Sequence, residues 1–482
     1  MARGLPRGGG ALKDPGLRRS LGLFDVTLFL VVATTNLQWV ATAAAAGPSS
    51  LVVWVVAGLA LFVPLAIAVV FLSSRYPEAG GLYVWSKRAF GPAAGFMTGW
   101  TYWTSTVIYF PGLLYFTAGN ALYLGGSGAS AHAGPVYYVV ASLAALTIAT
   151  ALNIVGLDVG KWLNNAGGIC RWASLMLLIA VGVVAFRQHG SASSFGAAAL
   201  RPGTQFKDVI FWSTIALAWV GLEAISFMSG EVKDPRRSIP RGLAFAAPLI
   251  VTIYLAGKAA VLVAVPAHDV NPLLGAMQAI DLTAHGAGLP WLSIFAAILV
   301  TVSCLGSAGL WMQACARIPF AAGIDRYLPE TFGRLHPRWR TPVAALLTQF
   351  AFAAVLLVLG QSGTTVKGAY DVLVSATVVT SLMPFLYVFA AAAKLSSAPP
   401  LPGQARIFGG SATVYVTSIV GFATTAASIV LAVFPADDEP NKTLAVAKVL
   451  FLTALMLLGG AAVYLRGKRF AASIPAALRE GS

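Results

Sequence analysis

Residues 21–46 have the sequence LGLFDVTLFLVVATTNLQWVATAAAA, an apolar run with polar side chains in its middle. The run is long enough to cross a bilayer as a helix, which takes roughly 20 apolar residues. Thr34, Thr35, Asn36 and Gln38 nevertheless fall near mid-depth, where polar groups that face lipid are costly. They are tolerated inside a helix bundle, or where a helix unwinds around a ligand. The stretch therefore predicts a membrane helix that is interrupted halfway.

Comparable apolar runs fill the rest of the 482-residue chain, which is 58% apolar and only 10% charged. Soluble domains carry about 25% charged residues. The runs are too long for barrel strands, which need only about 10 alternating residues. We therefore predict an all-α membrane protein with twelve transmembrane helices over residues 21–46, 51–73, 94–124, 136–155, 168–186, 209–230, 243–265, 292–314, 342–359, 370–393, 413–434 and 444–465.

The basic residues predict how these helices are oriented. The net charge of +15 would suggest a nucleic-acid partner in a soluble protein. Here most Lys and Arg residues fall in the segments that are cytoplasmic if the N-terminus is cytoplasmic, as the positive-inside rule requires. We therefore expect a multi-pass protein of the plasma (bacterial inner) membrane, with both termini in the cytoplasm, the lipid bilayer as its surroundings and no nucleic-acid partner.

The domain organisation follows from the same pattern. Residues 1–20 are rich in Arg and Gly and have no apolar core, which predicts a disordered cytoplasmic arm. Residues 21–393 form the predicted transport core of ten helices, residues 394–465 the peripheral helices 11 and 12, and residues 466–482 a short cytoplasmic tail. Cys170, Cys304 and Cys315 lie inside apolar runs and indicate neither disulfides nor a metal site. No oligomeric state is predicted.

A second interruption lies in the sixth predicted span, where residues 218–224 are AWVGLEA. Gly221 weakens a helix, and Glu223 places a carboxylate inside the bilayer at a cost of about 2.5–3.5 kcal/mol on insertion scales. Interruptions in spans one and six are expected if two five-helix halves repeat with inverted topology. Broken helices expose N–H groups that attract a carboxylate and carbonyls that attract an ammonium. A zwitterionic amino acid carries both groups.

Each of these features also has a purely structural interpretation. The polar side chains at residues 34–36 could cross-link neighbouring helices. Gly221 could be a packing notch, and Glu223 a structural acid.

Three segments that are cytoplasmic in this topology resemble those of the amino acid–polyamine–organocation (APC) transporter family. They are residues 77–85 (PEAGGLYVW) with 89–91 (AFG), residues 230–241 (GEVKDPRRSIPR), and residues 316–320 (ARIPF) with 323–329 (GIDRYLP) and 336–342 (HPRWRTP). Residues 34–36 and 113–116 (LLYF) are closer to the glutamate/GABA antiporter branch, although only a short tail follows the last span, without that branch's C-terminal plug.

The resemblance implies the inverted-repeat fold of sodium-coupled amine transporters, with substrate at the two breaks. It implies that Glu223 senses protons, that Trp311 is an aromatic gate, and that Arg171 lies near the position that sodium takes in coupled relatives. A fixed cation there would repel sodium and favour proton coupling or exchange. Arg171 could instead snorkel or pair with an acid.

These considerations predict a secondary transporter of amino acids or related amines that works by alternating access, with protons as a further partner. A polyamine or organocation carrier of the same fold is the alternative. The predicted substrate site comprises Thr34, Thr35, Asn36, Leu37, Gln38, Tyr109, Trp219, Val220, Gly221, Ser303, Ser307 and Trp311, with Glu223 and Arg171 in proton coupling; Tyr109 and Ser303 could also be ordinary packing residues. No cofactor and no metal are expected.

Other classes of protein fit the sequence less well. An enzyme within the membrane would need clustered catalytic groups, and the five His residues are scattered over predicted loops. An ATP-driven pump would carry a GxxxxGK[ST] loop, which is missing from the sequence. A channel would need a continuous pore lined by selectivity rings, usually from symmetric subunits. Paired interruptions favour a carrier.

Overall fold

The computed structural model describes residues 21–77, 80–126, 133–155, 157–324, 328–339, 341–362, 364–435, 439 and 441–473. Within them the chain is helical, and the sole β-type contact is an isolated bridge between Leu21 and Val232. The α-helices are α1 Leu23–Thr34, α2 Leu37–Ala44, α3 Ser49–Ala57, α4 Val63–Arg75, α5 Gly81–Phe90, α6 Pro92–Ala121, α7 Pro135–Val155, α8 Leu157–His189, α9 Ala197–Leu200, α10 Phe206–Ala218, α11 Pro235–Ala264, α12 Gly275–Gly286, α13 Trp291–Ile324, α14 Val343–Gln361, α15 Val366–Ser396, α16 Gly410–Leu431 and α17 Lys442–Ser473.

The predicted all-α membrane fold is confirmed. In the described part of the chain, eleven helical segments are long and apolar enough to span a membrane, and the bent pair α1 and α2 makes twelve if it is one span. A π-helical turn, Gly58–Phe62, joins α3 to α4 inside the second span. A 3₁₀ helix, Leu222–Glu231, completes the sixth span after α10.

Several helix ends differ from the predicted spans. The eighth span was predicted over residues 292–314, but α13 continues to Ile324. The last helix, predicted to end at 465, continues to Ser473, so part of the predicted tail is helical. The tenth predicted span ends at residue 393, but α15 continues to Ser396 and includes Lys394. The predicted N-terminal arm over residues 1–20 lies outside the described residues.

The helices α6 and α15 form the buried centre of the bundle, whereas α16 and α17 are the least buried spans. Small residues let neighbouring helices approach closely, as is usual in membranes. A Cβ atom built on Gly167 of α8 would lie 2.5 Å from the Cα of Gly306 in α13. The backbones of α8 and α13 therefore touch at this point. The division into a ten-helix core with two peripheral helices, and the inverted repeat, stay predictions.

Candidate functional site

The first break separates α1 from α2, which are bent by 42° relative to each other. Thr35 and Asn36 between them are extended. The side chain of Asn36 caps α2 by accepting a hydrogen bond from the Gln38 N–H at 3.1 Å, and its Nδ2 donates to the Tyr109 hydroxyl at 2.8 Å. Asn at this position favours a helix start, because its oxygen satisfies one of the unpaired N–H groups there. The break is thus encoded locally by Asn36.

The second break follows α10, which ends at Ala218. Gly221 has φ +134°, a conformation that residues with a Cβ atom rarely adopt. A Cβ atom built on Gly221 would also lie only 2.9 Å from the carbonyl oxygen of Ala33 and 3.0 Å from the Cα of Thr34. The two breaks therefore touch through their backbones, and glycine is required where they meet.

One side chain from a third helix connects both breaks. Tyr254 of α11 is fully buried, and its hydroxyl lies 2.6 Å from the carbonyl oxygen of Thr34 and 3.2 Å from that of Ala218. The same oxygen accepts the backbone N–H of Asn36 at 3.2 Å. Unpaired backbone groups inside a membrane are costly. This hydroxyl replaces some of the hydrogen bonds that are lost where the two helices are interrupted. Tyr254 is not predicted from the sequence, because the backbone groups that its hydroxyl contacts are distant in the chain.

A cavity of about 80 Å³ adjoins the two breaks. This is room for a small solute or several waters. Of the predicted site residues it is lined by Thr34, Asn36, Tyr109, Arg171, Val220, Gly221, Glu223 and Trp311.

The other predicted site residues do not line the cavity. Thr35 and Leu37 are buried in the first break, where the Thr35 hydroxyl donates to the Val31 carbonyl at 2.7 Å. The Gln38 amide donates to the Tyr370 hydroxyl at 3.1 Å. Trp219 is buried among other aromatic residues.

The predicted serines likewise lie outside the lining. Ser303 Oγ accepts from Arg171 Nε at 3.4 Å, and the Ser307 hydroxyl donates to the Ser303 carbonyl at 3.0 Å. Both serines belong to α13, and through Ser303 this helix supports the Arg171 side chain.

Two helices contribute lining residues that were not predicted from the sequence, in addition to the predicted Tyr109. Tyr102, Ser105, Thr106 and Tyr109 form one face of α6, and Thr377, Ser381 and Phe385 form one face of α15. Spacings of three and four residues place side chains on the same helix face. Polar residues repeating at these spacings within an apolar span are a signal that could have identified both faces. Ala33, Trp39 and Leu217 complete the lining.

The carboxylate of Glu223 is fully buried at the cavity, and both of its oxygens accept hydrogen bonds. Oε1 accepts from the Tyr102 hydroxyl at 2.9 Å, and Oε2 accepts from the Gly221 N–H at 2.9 Å. Within the described residues, no Lys or Arg forms an ion pair with it. Glu223 thus contacts the second break directly, and a proton on it would compete with one of these two donors.

The guanidinium of Arg171 reaches the cavity from α8 and is 5% exposed. Its Nη1 donates to the Val32 carbonyl near the end of α1, and its Nε donates to Ser303. No ion pair to a carboxylate is found for it in the part of the chain that the structure describes. The arrangement places a buried positive charge beside the first break. It can stabilise an anionic group in the cavity.

The described residues contain no group of three or more His, Cys, Asp and Glu side chains that could hold a metal ion. The groups around the cavity can bind a solute and exchange protons, through one cation, one acid, hydroxyls and the peptide groups of the two breaks.

Comparison with known proteins agrees with a transport function. The model of the amino acid permease family matches residues 21–469. An uncharacterized transporter of Legionella pneumophila is 27% identical over 92% of this chain and 94% of its own length. A probable agmatine/putrescine antiporter of Lactococcus lactis is 22% identical over 66% of this chain and 67% of its own. A methylthioribose transporter of Bacillus subtilis is 28% identical over 68% and 72%. With a match over nearly its whole length, the chain belongs to the amino acid permease family within the APC transporters.

Proposed function

We propose that this transporter carries amino acids, or amines closely related to them, across a bacterial plasma membrane by alternating access. The observation that carries the proposal is the contact between the two helix breaks at Gly221, with the cavity beside it. A helix break exposes peptide groups that a continuous helix would pair internally. Exposed N–H and carbonyl groups at one place suit a small solute with both a negative and a positive end.

The charged side chains favour a substrate that carries a carboxylate. Arg171 adds a positive charge near the end of α1, where the N–H groups at the start of α2 also lie. The carbonyl ends of α1 and α10 offer the complementary partners for an ammonium. A polyamine without a carboxylate would leave Arg171 unpaired and would be repelled by it. We therefore favour a zwitterionic amino acid over the alternative polyamine or organocation.

One side of the site is closed by hydrogen bonds between α2 and α15. The Tyr370 hydroxyl is bonded to Gln38 Nε2 at 3.1 Å and lies 3.0 Å from the Thr42 hydroxyl. The cavity instead extends along the opposite halves of α6 and α15, past Tyr102 and Phe385. With both termini in the cytoplasm, as we propose from the distribution of basic residues, this state is closed toward the outside. Alternating access then requires the contacts of Tyr370 to break.

The substrate can be identified by counterflow in proteoliposomes with a panel of labelled amino acids, polyamines and methylthioribose, the last because a relative is named for it. We expect saturable exchange that is fastest for one or more amino acids. Fastest exchange for a polyamine would favour the alternative substrate class. Flux that rises linearly with concentration, without exchange, would contradict a carrier and indicate a channel.

The role of Arg171 gives a separate prediction. In Arg171→Met, the half-saturating concentration of the transported amino acid should rise roughly 10- to 100-fold, because a charge-assisted hydrogen bond contributes about 1.5–3 kcal/mol. The matching amine, which lacks the carboxylate, should compete equally well or better against the variant. Arg187→Met, at the exposed end of α8, serves as the control and should transport normally. Equal losses for the amino acid and the amine would exclude a carboxylate contact.

A further inference from the structure

A second buried basic side chain lies outside the cavity. Lys258 of α11 is fully buried, and its Nζ lies 3.3 Å from the centre of the Trp54 ring in α3. Neither Lys258 Nζ nor Trp54 Nε1 has a hydrogen-bond partner among the described residues. A lysine inside a membrane protein is costly and usually has a function. The face of this indole is thus the contact that accommodates the Lys258 amine.

Trp54 belongs to a group of four aromatic side chains, which we call the aromatic cluster. It consists of Trp54, Phe62, Trp219 and Tyr254, and the ring of Trp219 packs on Trp54 at 5.3 Å, on Phe62 at 4.6 Å and on Tyr254 at 5.8 Å. The rings of Trp54 and Tyr254 are 4.7 Å apart. None of the four lines the cavity. The cluster is therefore a packed support for the site and not a wall of it.

Two members of the aromatic cluster hold the helix breaks directly. Trp219 is the C-cap residue that follows α10, and its Nε1 donates to the backbone carbonyl of Trp54 at 3.1 Å. Tyr254 bonds to backbone groups of Thr34, Asn36 and Ala218. Lys258 lies one helical turn beyond Tyr254 on α11. Contacts therefore run from the Lys258 amine, through Trp54, to the peptide groups of both breaks.

The packing around Trp219 leaves the aromatic cluster little room to rearrange. A Cβ atom built on Gly58 would lie 3.1 Å from the Trp219 ring, so the π-helical turn that begins at Gly58 is in contact with the indole. A shift of Trp54 would be transmitted to Trp219, because Trp219 contacts both the ring and the backbone carbonyl of Trp54. A basic group that is shielded from water over a tryptophan face is attracted to the ring when it is protonated. The contact therefore links α11 to α3 at Trp54.

We propose that Lys258 is a positioning residue, which acts through Trp54 and the aromatic cluster to hold both helix breaks in the geometry that binds substrate. The proposal rests on the function proposed above only in assuming that the breaks hold the substrate. Its structural part, the stiffening of the breaks by Lys258, can be measured without any substrate.

The test is hydrogen–deuterium exchange on the purified protein in lipid nanodiscs, followed in peptides that cover residues 33–39 and 217–223. In Lys258→Met the amides of both breaks should exchange about tenfold faster, in line with the loss of a desolvated cation–π contact. The matched control is Lys448→Met. Its amine bonds to the carbonyls of Gly360 and Ser362, and its loss should leave both breaks unchanged. Unchanged exchange at the breaks of Lys258→Met would overturn the proposal.

Two further variants separate positioning from general stability. Lys258→Arg keeps a cation over the ring and should keep exchange near the wild-type rate. Trp54→Leu keeps the carbonyl that Trp219 uses but removes the ring with all of its contacts, so it should accelerate exchange at least as much as Lys258→Met does. The double variant should exchange no faster than Trp54→Leu, because the contact that Lys258→Met removes is already lost with the ring. Independent, multiplying accelerations would contradict a route through Trp54.

Transport measurements complete the test. Lys258→Met should raise the half-saturating concentration of the amino acid about tenfold while the Tm stays the same or rises, since replacing a buried charge by an apolar residue often stabilises. A lysine that only supports the fold would lower the Tm and leave the half-saturating concentration unchanged, which would overturn the proposal. If no solute of the panel is transported by the wild type, the proposed function fails, whereas the exchange result still decides the role of Lys258.

Discussion

Replacing Gly221 by leucine is expected to reduce uptake to the background of empty liposomes while the protein still accumulates and purifies as a folded transporter. Gly221 has φ +134°, and a Cβ atom there would lie 2.9 Å from the Ala33 carbonyl oxygen. A side chain at such a backbone conformation costs about 1–3 kcal/mol, to which the contact with the first break is added. The two breaks would have to separate. Their exposed peptide groups could then no longer face the same solute.

The matched control for this substitution is Gly168→Leu. Gly168 lies in α8, and a Cβ atom built on it meets no other atom within 4 Å. This variant should transport at close to the wild-type rate. Gly221→Ala should already be severely impaired, because the conflict begins at the Cβ atom. Near-normal uptake by Gly221→Leu in the same liposomes would place the substrate site elsewhere in the molecule.

Replacing Glu223 by glutamine is expected to preserve substrate binding and to remove the pH dependence of uptake. The glutamine resembles the protonated acid in shape and in charge, and its oxygen can still accept one of the bonds from Tyr102 and Gly221. The wild-type carboxylate accepts both, so it must give up part of this pairing whenever it takes a proton. If that proton is coupled to transport, uptake by the wild type changes with pH, while uptake by the variant is flat over the same range.

Glu439→Gln is the matched control, because Glu439 is also a buried acid but lies by Thr364, away from the helix breaks. It should keep the pH profile of the wild type. Substrate binding by Glu223→Gln can be checked by the shift of the Tm with amino acid, since a ligand that binds the folded state raises it. A Glu223→Gln profile that matches the wild type would remove Glu223 from proton coupling.

Local sequence was sufficient to predict the membrane fold, both breaks and most of the charged groups of the site. Twenty-residue apolar runs predict helices because backbone groups in lipid must pair within their own segment. The Asn36 cap and Gly221 act on the residues next to them, so their effect can be predicted from the adjacent sequence. Arg171 and Glu223 stood out because ionisable groups are rare inside a bilayer.

Only the tertiary structure determined which groups each side chain contacts. Trp219 sits next to Val220 and Gly221 in sequence, yet it packs behind the break with Trp54, while Trp311, nearly a hundred residues later, lines the cavity. Tyr254 and Lys258 both lie in α11, and their contacts are with groups of α3 and α10 that are distant in the chain. The direction in which a helix face points depends on the helices packed around it. That packing is a property of the assembled bundle, and no single segment encodes it.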